Sequence, residues 1–505
     1  MTKKIGFDKH KYLQEQSKHI LERAENSGGK LYLEFGGKLV FDYHAARVLP
    51  GFDPNAKIRL LQKLKDKADI ILCVYSGDIE HKKIRADFGI TYDVDTLRLI
   101  DDLRSWELDV LAVVITRFNY QPTVQQFRNR LERRGIKTYT HHSIPGYPTN
   151  IDIIASDKGY GATPYINTSK PIVVVTAPGP GSGKMATCLS QLYHDHKRGL
   201  KSSYAKFETF PIWNLDLKHP VNLAYEAATA DIGDFNMVDS FHLEAYGEKA
   251  VNYNRDIEAF PVLRRILEYI TGTDSVYKSP TDMGVNRAGF AITEDKVVRE
   301  AAAQEIIRRN YRHQCEYAMG FIEKDAVTRT KLLMEEAGVK SEDRKVVKPA
   351  MEAAEEARHK QKGRDGIFCG AALELNDGTI IKGCNSSLMH ASSSLILNAV
   401  KKLAEIPDEI HLLNNQVMDS IGGLKEKILN RKNPSLDLGE TLIALSVSAT
   451  VNSAASLAVE QLSKLHNSEM HITHIPTSGD EAGLKRLGIH VTSEPHFPSK
   501  DLFIT

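Results

Sequence analysis

Residues 171–187 read Pro-Ile-Val-Val-Val-Thr-Ala-Pro-Gly-Pro-Gly-Ser-Gly-Lys-Met-Ala-Thr. The β-branched run Ile172–Thr176 has the composition of a buried parallel strand. It gives way to a loop holding Gly179, Gly181 and Gly183 with Pro178 and Pro180. Met185, Leu189, Leu192 and Tyr193 then recur at helical spacing, and Gly199 is placed to end that helix. Strand, glycine loop, lysine and helix in this order suit an anion. Loop N–H groups converge on it, the helix N-terminus adds partial positive charge, and Lys184 adds a full one. The expected ligand is a nucleotide or another phosphorylated small molecule, held by Gly179, Gly181, Ser182, Gly183, Lys184 and Thr187.

The segment resembles the phosphate loop of the P-loop NTPases, whose pattern is G-x-x-x-x-G-K-[ST]. Gly183 and Lys184 match it, Pro178 stands at the first glycine, and Met185 stands where that family places a magnesium-holding hydroxyl. Thr187 lies three residues beyond the lysine, on another side of the helix. No apolar strand ends in a magnesium-holding Asp, since the alanine-rich stretch Leu223–Ala230 before Asp231 reads as helix. The resemblance implies phosphate binding, with ATP a candidate. The departures weigh against hydrolysis in the P-loop manner.

The 505 residues exceed what one core accommodates, so about two or three domains are expected. Lys plus Arg number 66 and Asp plus Glu 65, a balance that offers nucleic acid no bulk attraction. No apolar run reaches membrane-spanning length, and the N-terminus lacks a signal-peptide core. The five cysteines are scattered, without a C-x-x-C pair, which points to free thiols in a reducing cytoplasm and away from structural zinc.

Residues 1–165 alternate strand and helix and are expected to form a Rossmann-like α/β domain. Leu31–Glu34 and Leu39–Tyr43 flank Gly36-Gly37 and read as a hairpin. Asp78, Arg117, His141 and His142 fall at the carboxyl ends of expected strands, where such sheets bind ligands. Residues 166–340 form the expected phosphate-loop domain. Its loops are dense in Asp, Asn, His, Tyr and Arg, around Lys206–Asn214, Thr229–Asp234, Phe241–Gly247, Asn252–Asp256 and Ser279–Arg287. Oxygens of Asp231, Asp234 and Asp282 are candidates to hold Mg²⁺ against a phosphate. Arg255 or Arg287 could clamp a phosphate or carboxylate bidentately. The catalytic candidates are therefore Lys184, Asp231 and Arg255. Capping of helices and turns is the competing use of each single Asp.

Residues 341–366 are charged around Pro349 and read as a solvated helical connector. Residues 367–505 read as a smaller α/β domain. A hairpin crosses Asn376-Asp377-Gly378, a helix follows from about Ala391, Ile410–Leu413 reads as a strand, Glu440–Leu465 as one long helix, and strands begin near Met470 and Gly488. This order is similar to the cytidine-deaminase fold. His390-Ala391-Ser392 lies at that family's His-x-Glu, and Pro476-Thr477-Ser478-Gly479-Asp480 at its Pro-Cys-x-x-Cys. The Glu and both zinc cysteines are replaced, which implies an inactive or repurposed relative that does not deaminate.

At full length the chain resembles an uncharacterised bacterial family known as domain of unknown function 1846. Leu31–Leu39, Val174–Thr187 and Val251–Asp256 carry the resemblance. It implies a bacterial cytoplasmic protein and supplies no activity. The expectation from sequence is thus a two-part Rossmann-like α/β protein with a phosphate loop and a C-terminal α/β domain. It would bind a phosphorylated ligand with Mg²⁺ and catalyse phosphoryl transfer or ligation. A nucleotide-sensing or assembly protein without turnover is the alternative. A homo-oligomer is expected, with neither nucleic acid nor membrane as partner, and the C-terminal domain either closes the phosphate-loop cleft or oligomerises through its Ala/Ser-rich helix.

Overall fold

In chain order the first eight strands are β1 (Lys30–Phe35), β2 (Ala68–Tyr75), β3 (Ile84–Arg85), β4 (Ile90–Thr91), β5 (Val110–Thr116), β6 (Thr138–Thr140), β7 (Ile172–Thr176) and β8 (Ser202–Phe207). Six of them form one parallel sheet in the order β6-β5-β2-β7-β1-β8. β3 and β4 make a separate two-residue hairpin. The computed structural model describes residues 4–85, 89–430 and 433–498. Every residue of β7 is buried, as its unbroken apolar run requires of a strand covered on both faces.

This sheet takes strands from both sides of residue 165, so segments 1–165 and 166–340 share one sheet. Nor is there a hairpin at Gly36-Gly37. β1 pairs with β7 on one side and β8 on the other, which leaves no edge for Leu39–Tyr43. That stretch leads instead into the helix Tyr43–Val48, capped by the Asp42 carboxylate. Two short antiparallel strands, β9 (Asn236–Val238) and β10 (Val251–Tyr253), follow.

The chain divides into two compact units. One comprises Ile5–Glu226 and Asp234–Ala302 and holds the six-stranded sheet. The other is built from Ala227–Gly233 and the chain from Ala303 onward. It holds a second sheet of β11 (Gly370–Glu374), β12 (Ile380–Cys384), β13 (Glu469–Ile472) and β14 (His490–Ser493), in the order β12-β11-β13-β14. β11 runs antiparallel to both neighbours, whereas β13 and β14 are parallel.

The segment expected as a solvated connector belongs to the core of this second unit. Its helix, Val347–His359, buries Val347, Ala350, Ala353 and Ala357. Pro349 sits in the first turn, where its missing N–H costs nothing. Gly370 lets the helix lie against β11, because a Cβ there would sit 2.3 Å from the Ala350 carbonyl oxygen and 2.4 Å from the Ala354 nitrogen. Arg344 is fully buried and donates to Thr492 Oγ1 at 2.9 Å and to the Met470 and His490 carbonyls at 3.1 Å.

Two further expectations fail here. Ile410–Leu413 forms no strand, since the Asn452 amide occupies the His411 carbonyl at 3.0 Å. The same Asn452 caps Ser453–Gln461 and so breaks the long helix into Leu438–Ser448 and Ser453–Gln461. Among the described residues no helix is long and apolar enough to cross a membrane.

Candidate functional site

After β2 the chain moves toward β5, and after β7 it moves the opposite way, past β1 to β8. The two neighbours therefore send their connections to opposite sides. Such a switch point opens a crevice beyond the carboxyl ends of a parallel sheet. The loop 177–183 lies there, and the helix Lys184–Lys197 follows it.

Each glycine in the loop has a distinct cause. A Cβ on Gly179 would lie 2.4 Å from the Tyr92 ring. Gly181 and Gly183 adopt φ of 65° and 84°, the left-handed region that disfavours a side chain. Gly183 is also the helix N-cap and offers no side-chain acceptor. The N–H groups of Gly181, Gly183 and Lys184 have no hydrogen-bond acceptor among the described residues, whereas the Ser182 N–H closes a turn onto Gly179. The loop's carbonyls, by contrast, are taken. Thr116 Oγ1 at the end of β5 donates to the Ser182 carbonyl at 2.8 Å, and the Arg117 guanidinium donates to the Gly181 carbonyl. Arg117 also lies over the Tyr75 ring at 3.5 Å. The loop thus presents unsatisfied donors while its acceptors are tied down. The hydroxyls of Thr176 and Ser182 are buried and have no partner among the described residues.

Lys184 makes no ion pair with any described carboxylate. Its charge reaches Cys73, Cys188 and Glu208, where it works against burial, which pushes all three groups up. Glu208 follows β8, and a Cβ on Gly36 would fall 2.3 Å from its Oε1. Beside it, the buried Lys206 ammonium bonds Asp256 at 2.6 and 2.8 Å and Tyr253 Oη. Burial disfavours the Lys206 charge, but Asp256, Glu208 and Glu34 outweigh it and hold the ammonium protonated. Glu34 at the end of β1 accepts from the Tyr204 hydroxyl at 2.7 Å. The lysine-bearing glycine loop thus has a buried acid–base cluster as its neighbour at the same strand ends.

Other expected site residues lie elsewhere or are already engaged. Thr187 is fully buried, its hydroxyl bonded to the Gly183 carbonyl at 3.0 Å and to Cys73 Sγ at 3.4 Å. Asp231 is exposed and belongs to the second unit. Asp234 is locked to Arg255 by paired contacts, one at 2.6 Å, so neither is free to clamp a ligand. Asp282 closes a capping box with Ser279 and also accepts from the Lys278 N–H and Tyr246 Oη. The three carboxylates therefore form no common set, and no group of three or more His, Cys, Asp or Glu side chains suits a metal among the described residues. Asp78 faces Lys83 at 3.6 Å. His142 Nδ1 bonds the Phe118 carbonyl at 2.8 Å, and burial holds His141 down at about 4. Sequence reasoning passed over Thr116 and Glu34. Each is a polar residue closing an apolar strand, which was the available signal.

In the second unit, His390 and Asp480 do meet, with Nδ1 2.7 Å from Oδ2. Asp480 also accepts from the Leu438 N–H at 2.9 Å and the Thr477 hydroxyl at 2.9 Å. The pair sits at the starts of the helices Ala391–Leu403 and Ser478–Arg486.

The description "Domain of unknown function DUF1846, N-terminal" matches residues 5–338, and its C-terminal counterpart matches residues 342–503. The chain belongs to this family. Its boundary falls just before the charged segment that packs into the second unit. Among relatives, a "UPF0371 protein" of Clostridium botulinum (strain Langeland) is 58% identical over 501 residues, 99% of each chain. A "UPF0371 protein" of Clostridium tetani is 57% identical over 500 residues, again 99% of each. The family thus extends over both units.

Proposed function

We propose that the six-stranded unit binds the phosphate of a nucleotide or another phosphorylated small molecule in the loop 178–184. The observation that carries this reading is the set of Gly181, Gly183 and Lys184 N–H groups without acceptors, at a helix N-terminus, next to an unpaired lysine. Phosphate oxygens would satisfy those donors, and the Lys184 ammonium would neutralise their charge. For turnover, the reaction class is phosphoryl transfer or ligation. Glu208, held up by burial and near Lys184, is then the group able to move a proton.

Magnesium fits this site poorly. Met185 offers no oxygen, the Thr187 hydroxyl is spent, and Asp231, Asp234 and Asp282 are dispersed or engaged. This favours a second reading, a phosphorylated-ligand sensor without turnover. The C-terminal unit supports a deaminase-like strand order, with one antiparallel strand inside the sheet and His390 and Asp480 at the two helix starts. With Ser392 and Thr477 in place of a shuttling Glu and a thiolate, it is proposed as a non-deaminating relative.

The test is calorimetry and thermal shift with ATP, GTP and sugar phosphates, with and without Mg²⁺, on the parent and on Lys184→Ala. A ligand at 100 times its Kd should add about 2.7 kcal/mol to the parent's stability. Lys184→Ala should weaken binding by at least about tenfold, or about 1.4 kcal/mol, with the fold intact. Equal affinity of parent and variant would remove the loop from the site. Product formation separates the enzyme from the sensor.

A further inference from the structure

About twelve residues down the loop helix from Lys184, some 18 Å at 1.5 Å per residue, His196 borders a cavity of about 920 Å³. It runs beside the edge strand β8, within the six-stranded unit. Its size is that of a small-molecule pocket.

Aromatic side chains line it, among them Trp213, His242, Tyr246 and Tyr277. Their rings cluster, His242 lying 4.7 Å from Tyr246 and 6.3 Å from Trp213. Their polar tips are already engaged. Trp213 Nε1 donates to the Asn286 carbonyl at 3.0 Å, Tyr246 Oη to Asp282 at 3.0 Å, and Tyr277 Oη to the Tyr204 carbonyl. What they offer a ligand is ring surface, suited to stacking.

The charge of the lining is cationic. Arg23, Lys201 and Arg287 face two carboxylates, Asp274 and Asp282, and Asp282 is consumed by its capping box. Lys201 forms no ion pair among the described residues. The Arg287 guanidinium lies 3.8 Å over the Phe290 ring, and its nearest carboxylate, Glu15, stands 3.9 Å from Nη2, so its charge is only weakly countered. His19 reports the same field, since burial and the charges of Arg23 and Arg287 together hold its pKa down against Glu22 and Glu15.

Helix ends limit how much negative charge fits. The C-terminal turns of Lys9–Asn26, Lys184–Lys197 and Asn254–Thr271 all border the cavity, through Asn26, His196 and Thr271. Each contributes partial negative charge that offsets the cations. A monoanion is matched better than a phosphate dianion.

We propose that this cavity is a second ligand site, independent of the glycine loop, for a planar aromatic carboxylate. The ring stacks among Trp213, His242, Tyr246 and Tyr277, the carboxylate meets Arg287, and Lys201 adds longer-range attraction.

The chain has two tryptophans, so Trp106→Phe leaves Trp213 as the sole indole reporter in the cavity wall. This variant is titrated with nicotinate, nicotinamide and cyclohexanecarboxylate, which separate ring from charge, by calorimetry and Trp213 emission. Nicotinate should give a saturable emission change and bind about tenfold tighter than either control. Lys201→Glu and Arg287→Met, each checked for parent-like near-UV circular dichroism, should weaken nicotinate by about fivefold or more. Lys201 is exposed, so its substitution keeps the fold and the test alive if Arg287→Met unfolds. No saturable change at high millimolar nicotinate, equal binding of all three compounds, or unchanged affinity in Lys201→Glu would each overturn the proposal.

Discussion

Asp480 sets the state of His390. Burial alone would drive the imidazole toward neutrality, yet the hydrogen bond and charge of Asp480 outweigh it and raise the pKa above the ordinary 6.5. For Asp480 itself, burial works against ionisation, but His390, the Leu438 N–H and the Thr477 hydroxyl hold the carboxyl below its usual 3.8. The two shifts have opposite consequences for stability. The raised His390 contributes fully below about pH 6.5 and loses its contribution as pH rises through the folded value. The depressed Asp480 contributes above pH 3.8 and loses it as pH falls through the folded value. The pair therefore stabilises most between those limits. In Asp480→Asn the His390 pKa should fall below 6.5, because burial remains and the charge does not. Ring-proton NMR titration measures it, and an unchanged pKa would mean that Asp480 does not govern the imidazole. The juxtaposition was readable from sequence only through the similarity that aligned His390 with Thr477–Asp480. Spacing alone could not bring together residues 90 apart.

The helix Val347–His359 shows what charge patterning conceals. Its exposed faces carry Glu355, Glu356 and Lys360, and these made the segment read as solvated. The face that matters is Val347, Ala350, Ala353 and Ala357, whose spacing is helical but whose alanines give a weak apolar signal. Gly370 supplies the rest by removing a side chain beneath them. Gly370→Ala should cost about 1–3 kcal/mol, since the new methyl meets backbone atoms that cannot rotate away. Urea unfolding of the second unit measures it, and a loss under about 0.5 kcal/mol would show that the helix is free to retreat. Strand identity was legible where apolar runs were long, as at Ile70–Tyr75 and Ile172–Thr176. Strand order was not, because β7 enters between β1 and β2 from far along the chain, with two further strands of the sheet formed in between. The glycine loop was legible as a loop. Its engagement by Thr116 and Arg117 needed the sheet that brings β5 to it.

At the scale of the whole chain, two compact units with separate sheets are expected to give two cooperative unfolding transitions. The chain carries a reporter for one of them, since Trp106 and Trp213 both lie in the six-stranded unit. Glu469 perturbs the other. Its carboxylate sits 3.0 Å from Arg308 and 2.8 Å from the buried Arg344, and Arg308 is also held by Glu305. Burial opposes the Glu469 charge, but Arg308 and Arg344 prevail and hold its pKa down to about 2. Glu469→Gln would leave two guanidinium groups short of a counter-charge. Breaking a fully buried pair costs about 3–5 kcal/mol. The Glu469 side chain remains 29% exposed, so screening brings the expected loss to about 2–3 kcal/mol. A carboxylate depressed in the folded state stabilises above its unfolded value. That contribution should be complete above about pH 4.5 and fade as pH falls toward 2. Far-UV circular dichroism reports both units, and tryptophan emission reports the six-stranded one. Glu469→Gln should lower one of the two circular-dichroism transitions at neutral pH, leave the emission transition in place, and lose most of the difference from the parent near pH 2. Emission and circular dichroism shifting together would show that the two units unfold as one.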